Sequence, residues 1–509
     1  MNLKCMRKEV FMKKLLSRRF VFLLSLLSAI FFFVILFQLQ MLPLKYFVSL
    51  IIIILLVLII LFKAEKDKKG EHPIKVTIYK LLQIILSVVM VVSSLYLMKG
   101  SDFLASITGG QDETIEMDII VLKSSAYQTL EDLTDKNFGA NTVDTVNINK
   151  TEALIEDEIG DIQVEYFDSY SEVISALHQG SIDAMIVKAV DLESLNDIEV
   201  DFEENIRIIK TFEIKLPSVK ANSAKVTKEP FNILISGRDK KGPISTFSLS
   251  DVNMIATVNP TTKQILLTSI PRDYYVEMIG IDGVSGKDKL THSAKGGIDA
   301  TIQTIESLMG IKINYYAKFN FTSFMNVVDA LGGITVNVPK YDVIGRDDGV
   351  FTTRLDKITI EPGEQTFDSK TALSFVRERY AFVKGDEIRG KNQMIMLKAI
   401  IKKCCSPAII SKMDAIFESL SDSFETNLEA SDIKSLINMQ IDDMASWDVQ
   451  SYRLDGDASH RVFELATVGD VSKVNSKGVY VTEPYEESIQ QAYQYIEAVM
   501  NNEIVKVEE

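Results

Sequence analysis

The chain of 509 residues has few of the residue types from which several common kinds of site are built. It contains four histidines, three cysteines and one tryptophan. Four histidines give little support to a histidine-based catalytic centre, and three cysteines exclude the disulfide framework of a small secreted protein. Cys404 and Cys405 are adjacent, so they are either small apolar residues on a helix or partners in a strained vicinal disulfide.

Motifs for nucleotide binding and for serine hydrolysis are also missing. The sequence has no glycine-rich loop of the P-loop or dinucleotide-binding type and no nucleophile elbow. Its net charge is −15, and proteins bind nucleic acid by placing lysines and arginines against phosphates. The sequence therefore argues against nucleic acid as a partner.

The charge is divided unevenly, and the basic part of the chain is also very apolar. Residues 1–98 hold 14 of the 55 lysines and arginines but 4 of the 70 aspartates and glutamates. Three apolar runs in this part predict membrane-spanning helices at about 20–40, 46–62 and 76–98, since about 20 residues cross the hydrocarbon core of a bilayer. The sequence thus predicts a multi-pass protein of the cell membrane.

The basic residues also predict the orientation in the membrane. Lysines and arginines crowd the tail 1–19 and the loop 63–75, and such loops stay in the cytoplasm. Three crossings then place the acidic remainder of the chain outside the cell. The alternative is a single hydrophobic hairpin that leaves the remainder inside.

After a predicted stalk at 99–115, the pattern at 116–218 is that of a small α/β accessory domain. Its helix, Gly180 and the strand that opens at Asp183-Ala184 resemble a fragment of a periplasmic solute-binding protein. About 100 residues are half the length of such a protein. Two interpretations stay open, a small sensing module and a packing and spacing domain without a ligand.

A second domain is predicted at 225–500, and its first strands end in charged residues. A hairpin centred near residue 261 pairs residues whose numbers sum to about 522, so Asp251 is expected nearly opposite Arg272. Asp239 ends the preceding strand and reaches the same edge if that strand is a neighbour. Carboxylates with open coordination positions suit Mg²⁺, and arginine suits bidentate binding of phosphate.

More cationic groups follow downstream. If Arg377 and Arg379 lie on extended backbone, they point the same way, and Arg389 shares a helix face with Gln393 if their helix already starts at Arg389. Several guanidinium groups near a helix start suit a polyanion. Lys289 is either an anion contact or a solvated lysine, while Asp273 and His292 are interpreted as structural residues.

Several motifs together resemble the LytR–CpsA–Psr family of membrane-anchored phosphotransferases. The similarity spans roughly residues 230–400, with weaker similarity to about 500, and the three spans with the intervening domain resemble the capsule branch of that family. The segments that carry the resemblance are Ile235-Ser-Gly-Arg-Asp239, Ser250-Asp251-Val-Asn, Pro271-Arg272-Asp273, Leu331-Gly332-Gly333-Ile334, Phe375-Val-Arg377-Glu-Arg379-Tyr, and Gly385-Asp386 through Arg389 to Asn392-Gln393.

The resemblance implies an α/β fold, an α/β/α sandwich on a mixed sheet, and a pocket outside the membrane for a polyprenyl pyrophosphate lipid. It implies that Asp239 and Asp251 hold Mg²⁺ and that the reaction moves a glycopolymer phosphate from the lipid carrier to a peptidoglycan hydroxyl, with a possible pyrophosphatase side activity. Capsular polysaccharide or another wall polymer is the implied cargo, and other capsule-assembly membrane proteins are implied partners. The residues expected to act in catalysis are Asp239, Asp251, Arg272, Arg377 and Arg379. The residues expected to bind pyrophosphate are Arg272, Arg377, Arg379, Arg389, Gln393 and Lys289.

The sequence departs from the pattern of this branch at one position. Leu249 stands where an arginine is common, two residues before Asp251, and Arg238 or Lys240 are candidates to replace it. The apolar faces of Ile302–Met309 and Met394–Ile401 either line a tunnel for the lipid tail or belong to the ordinary core.

Two functions of other classes stay open beside the enzyme. The first is a transcriptional regulator or attenuator, against which the acidic outer part of the chain argues. The second is a non-catalytic membrane regulator or scaffold of polymer synthesis, which Leu249 favours.

Overall fold

The computed structural model describes most of the chain. The described residues are 17–65, 73–110, 113–216, 218–238, 244, 248–281, 284–406, 412, 415–416, 420, 424–461, 465–467 and 478–507. The chain divides into two compact units, which are taken in turn. The first comprises residues 1–106, 413–418 and 430–445, and the second comprises the remainder.

Three apolar helices dominate the first unit: α1 (Arg18–Leu39), α2 (Leu44–Ala64) and α3 (Pro73–Ile107). By length and composition each is able to cross a membrane, as predicted. Ser87 on α3 donates a hydrogen bond to Ser25 on α1 at 2.8 Å, a polar contact of the kind that joins helices in an apolar setting.

The segment predicted as a stalk at 99–115 is helical over its first part. Helix α3 has 35 residues and continues to Ile107, and the first strand of the next domain already begins at Glu113. Leu104 and Ile107 are three residues apart and both are buried, so an apolar helix face continues past Lys99.

The accessory domain has a five-stranded sheet in the order β3-β2-β4-β1-β5. Its strands are β1 (Glu113–Leu122), β2 (Asn137–Asn141), β3 (Gln163–Phe167), β4 (Ala184–Lys188) and β5 (Ile206–Leu216). Its helices are α4 (Thr145–Ile159), α5 (Tyr170–Gln179) and the one-turn helices α6 (Leu192–Leu195) and α7 (Phe202–Asn205). Gly180 caps α5 in the left-handed region with φ 72°, as the predicted helix, glycine and strand require.

Strand β2 and its surroundings differ from the sequence prediction. The sequence predicts a short helix at Leu130–Lys136, but in the structure Glu131–Leu133 forms one 3₁₀ turn. The strand that follows was not predicted, because asparagine and glycine have low strand propensity. It forms because β3 and β4 pair with it on both sides. A Cβ at Gly139 would lie 2.4 Å from the side chain of Ile182, so a larger residue there would force Ile182 to move.

The larger domain is built on a six-stranded mixed sheet in the order β16-β11-β6-β7-β8-β17. Two pairs, β11 with β6 and β17 with β8, are parallel, and the other pairs are antiparallel. These strands are β6 (Phe231–Arg238), β7 (Val252–Asn259), β8 (Gln264–Ile270), β11 (Tyr315–Asn320), β16 (Phe424–Thr426) and β17 (Asp448–Arg453). The remaining short strands are β9 (Tyr275–Glu277), β10 (Lys287–Lys289), β12 (Ile334–Val338), β13 (Phe351–Thr352), β14 (Thr359–Ile360), β15 (Gly363–Phe367), β18 (Gly456–Arg461) and β19 (Val479–Pro484).

Helices cover both faces of this sheet, so the predicted α/β/α sandwich is confirmed. The helices of this part of the chain are α8 (Gly297–Met309), α9 (Phe321–Ala330), α10 (Ser369–Arg377), α11 (Gly385–Cys404) and α13 (Glu486–Met500), while α12 (Ala430–Asp443) belongs to the first unit. One face of the sheet packs Leu234, Ile255 and Leu266 against α8 and α13. The other face packs Ile265 and Leu267 against α11.

Buried charges join the accessory domain to the larger domain. Lys318 on β11 pairs with Glu113 on β1 at 2.6 Å and with Glu425 on β16 at 3.4 Å. Lys295, which precedes α8, pairs with Asp191 of the accessory domain at 3.0 Å. Both lysines are largely removed from solvent, so buried ion pairs link the two domains.

Candidate functional site

The hairpin of β7 and β8 creates the first part of the site. Asn253 pairs with Ile270 across it, so Asp251 and Arg272 flank its open end as predicted. Nη1 of Arg272 donates to the carboxylate of Asp251, and Nε lies 3.4 Å from the carboxylate of Asp273. The amide of Asp251 donates to the carbonyl of Gly237 at 2.8 Å, which fixes this corner to β6. Asp239 and Lys240 lie outside the described residues.

A polar pocket of about 570 Å³ opens beside this pair. Five arginines among the described residues line it: Arg272, Arg354, Arg377, Arg379 and Arg389. The lining carboxylates are Glu193, Asp251 and Glu378. The structure thus brings together the four arginines expected from the sequence and adds Arg354, which lies in an irregular loop without a recognisable motif.

The local backbone explains how the downstream arginines reach the pocket. Arg377 is the last residue of α10, so the condition of extended backbone is not met there. Its guanidinium lies 4.4 Å from the centre of the Phe321 ring. Helix α11 begins at Gly385, so Arg389 and Gln393 share a face. Arg389 pairs with Asp386 at 3.0 Å, and the amide nitrogen of Gln393 lies 3.5 Å from the carbonyl of Val376.

The pocket holds more positive charge than its own carboxylates neutralise. Burial and the nearby guanidinium of Arg272 lower the pKa of Arg389 below its ordinary value. Burial also acts to lower the pKa of Arg272, but the carboxylates of Asp273 and Asp251 outweigh burial and raise it. A bound anion would relieve the repulsion between these guanidinium groups.

Lys289, Asp273 and His292, which the sequence also singles out, are not among the described residues that line the polar pocket. The ammonium of Lys289 lies 3.7 Å from the carboxylate of Asp197 in the accessory domain. Its role in binding an anion stays a prediction. Asp273 supports Arg272, and His292 is buried with Nδ1 2.9 Å from Asp288, so both have the structural contacts expected of them.

An apolar cavity of about 270 Å³ adjoins the polar pocket. Its apolar wall includes Met254, Phe319, Phe324, Leu397 and Ile400. Gly237 also lines it, and a Cβ at this glycine would lie 2.6 Å from the ring of Phe319. Among the described residues, Asp251, Arg377 and Arg389 line both cavities, so charged and apolar walls meet at these side chains.

Of the two helices predicted either to line a lipid tunnel or to belong to the core, α11 contributes described residues to the wall of the apolar cavity and α8 does not. Leu397 and Ile400 belong to α11 and line the cavity. Ile302 and Ile305 of α8 are instead buried in the core on the opposite face of the sheet, together with Ile496. Both helices have an apolar side. Whether that side lines the cavity depends on which face of the sheet the helix packs against.

An arginine-rich pocket that adjoins an apolar cavity has the chemistry to suit an amphipathic phosphorylated molecule. The model of the LytR_cpsA_psr family matches residues 199–493. The chain belongs to this family, and the resemblance described from its motifs is confirmed.

Individual relatives share part of the chain. A polyisoprenyl-teichoic acid–peptidoglycan teichoic acid transferase TagU of Bacillus licheniformis is 34% identical over 264 residues, which cover 51% of this chain and 75% of the relative. The corresponding TagT of Bacillus subtilis is 35% identical over 209 residues, which cover 40% and 62%. A crystal structure of Bacillus subtilis TagV is 26% identical with a TM-score of 0.43, covering 55% of this chain and 99% of that one.

Proposed function

We propose that this protein transfers a glycopolymer phosphate from a polyprenyl-pyrophosphate carrier to peptidoglycan, the cargo being capsular polysaccharide or another wall polymer. The relatives named above are transferases that join polyisoprenyl-linked teichoic acid to peptidoglycan. The observation that carries the proposal is the junction of a five-arginine pocket with an apolar cavity at Asp251, Arg377 and Arg389. A lipid pyrophosphate needs both environments side by side.

The chemistry that we propose is a phosphoryl transfer driven by positioning and electrostatics. An oxygen of a peptidoglycan hydroxyl forms a bond to the phosphorus that carries the polymer. The bond from this phosphorus to the bridging oxygen breaks, polyprenyl phosphate leaves, and the hydroxyl proton passes to solvent. Arg272, Arg377 and Arg389 bind the phosphate oxygens, on which negative charge builds in the transition state. With water in place of the acceptor, the same step gives the pyrophosphatase side activity.

Mg²⁺ is part of this proposal. The metal commonly takes one or two protein carboxylates and completes its coordination with waters and phosphate oxygens, and when bound it neutralises phosphate charge. Among the residues that the structure describes, no group of three His, Cys, Asp or Glu side chains forms a self-sufficient metal site. Asp251 lies on the pocket wall, where its carboxylate could supply one ligand to the metal. In this proposal Asp239 and the phosphate oxygens of the substrate supply the others.

We further propose that the pocket faces the outside of the cell and the basic loops face the cytoplasm. The three apolar helices support an odd number of crossings, and lysines and arginines crowd the tail 1–19 and the loop 63–75. Cysteines introduced after residue 116 are expected to react with a membrane-impermeant reagent in intact cells. Reaction only after lysis would contradict this orientation.

Complementation in cells separates the enzyme from the two rival functions. Asp251→Ala and Arg377→Ala should abolish attachment of the wall polymer, while Arg346→Ala, an exposed arginine paired with Asp348, should not. Normal attachment with both pocket variants would favour the membrane scaffold. A gel shift of DNA by the intact protein at physiological salt would favour the transcriptional regulator.

A further inference from the structure

The outer part of the polar pocket carries a pair of residues that the phosphate-binding role does not use. Tyr380 is 54% exposed, and the guanidinium of Arg354 lies 4.0 Å from the centre of its ring. Arg379 donates a hydrogen bond to the Tyr380 hydroxyl at 2.9 Å. The Arg379 guanidinium also lies 4.8 Å from the ring centre, so the half-exposed ring has two cationic donors beside it, Arg354 and Arg379.

A buried carboxylate fixes this pair in place. Glu378 is 3% exposed, and one of its oxygens accepts from the backbone amide of Arg354 at 2.5 Å. Its other oxygen accepts from the amides of Tyr380 at 2.8 Å and Ala381 at 3.0 Å. Because one carboxylate binds both segments, Arg354 and Tyr380 are pre-organised relative to each other.

The two cavities meet at a shared set of residues. Asp251, Arg377 and Arg389 line both cavities. Arg354 and Tyr380, in contrast, are among the described residues that line the polar pocket alone. A lipid-linked polymer is linear, with a tail, then a pyrophosphate, then a first sugar. With the tail in the apolar cavity and the phosphates at the shared residues, the sugar lies in the polar pocket, whose lining includes Arg354 and Tyr380.

We propose that Arg354 and Tyr380 form the subsite for the first sugar of the polymer, an inference that rests on the function proposed above. The ring of Tyr380 offers an apolar surface to the C–H face of a sugar, while its hydroxyl stays available for hydrogen bonds. Arg354 supplies fixed N–H donors for a hydroxyl, an N-acetyl carbonyl or a further phosphate. The pair is a specificity element, and the phosphate chemistry belongs to the shared residues.

The test compares two lipids on the full-length protein in lipid nanodiscs. One is octaprenyl pyrophosphate, and the other is the same lipid carrying a single N-acetylglucosamine. The wild type should bind the sugar-bearing lipid more tightly. Tyr380→Ala should reduce that preference about tenfold and leave the affinity for the bare lipid within about twofold. Arg354→Ala should weaken binding of the sugar-bearing lipid more than binding of the bare lipid.

Conservative and matched variants sharpen the result. Tyr380→Phe keeps the ring and should keep most of the preference. Tyr480→Ala, a 37% exposed tyrosine outside both cavity linings, and Arg346→Ala should change neither affinity. A loss in Tyr380→Phe equal to that in Tyr380→Ala would overturn the role of the ring.

Failure of this inference and failure of the proposed function give different results. Equal wild-type affinity for both lipids overturns the sugar subsite, as does an equal loss of both affinities in Arg354→Ala and Tyr380→Ala. Wild-type protein that binds neither lipid overturns the proposed function, and the subsite with it.

Discussion

The guanidinium of Arg272 donates a hydrogen bond to the carboxylate of Asp251 across the open end of the β7–β8 hairpin. The amide of Asp251 is also fixed to β6 through the carbonyl of Gly237. Both charged groups are therefore held at the sheet edge before any ligand arrives. In a site that works by electrostatics, such pre-organisation is worth more than the strength of the pair itself.

Metal dependence tests the role of the Asp251 carboxylate. Removal of Mg²⁺ with a chelator should abolish polymer transfer, and added Mg²⁺ should restore it. Asp251→Asn should need about tenfold more Mg²⁺ for half-maximal rate, since one anionic ligand is lost. A titration of the transfer rate with Mg²⁺ measures this. An unchanged half-maximal concentration in Asp251→Asn would contradict the assigned role.

Filling the apolar cavity should act on the lipid tail. Ile400→Trp places a larger side chain in the cavity wall, and it should weaken binding of octaprenyl pyrophosphate more than binding of a farnesyl analogue with three prenyl units. Val383→Trp, at a position that is 70% exposed, serves as the control. Equal loss for long and short lipids would show that the tail lies elsewhere.

The ionisation of Tyr380 tests the contacts around its ring. The hydrogen bond from Arg379 and the charge of that guanidinium lower the pKa of Tyr380 below its ordinary value of 10, with a further contribution from Arg354. The phenolate absorbance of wild type minus Tyr380→Phe should therefore appear below pH 10. Arg379→Gln should shift this midpoint upward. A midpoint at or above 10 would refute the contacts.

Stability should depend on the lysine between the two domains. Lys318→Met removes the partner of Glu113 and Glu425, and loss of one member of a buried ion pair costs about 3–5 kcal/mol. The thermal unfolding midpoint of the full chain in detergent should fall by several degrees. The matched control is Lys210→Met, which breaks the surface pair with Glu158. Equal shifts in the two variants would contradict the account of the interface.

The sequence was most informative where a regular repeat fixes geometry. The pairing of Asp251 with Arg272 follows from counting residues around one hairpin, and the three spans follow from hydropathy. The shared face of Arg389 and Gln393 needed only the early start of α11. These are local features, so long-range packing does not alter them.

Features that depend on long-range packing were missed. Arg354 lies in the pocket because Glu378 accepts hydrogen bonds from the backbone amides of both Arg354 and Tyr380. No sequence pattern predicts such a contact. In the sequence, the apolar face of α8 cannot be distinguished from that of α11, but α8 packs on the opposite face of the sheet. Strand β2 has low intrinsic propensity and depends on its neighbours.

The most direct test of the central claim is a transfer assay with full-length protein in nanodiscs, polyprenyl-pyrophosphate-linked polymer, Mg²⁺ and peptidoglycan. Wild-type protein should form polymer–peptidoglycan phosphodiester and release polyprenyl phosphate in equal amounts. Arg377→Ala should be slower by about 10²–10³, with an unchanged unfolding midpoint, and Arg346→Ala should match wild type. Transfer by Arg377→Ala at the wild-type rate, or no transfer by the wild type, would contradict the account.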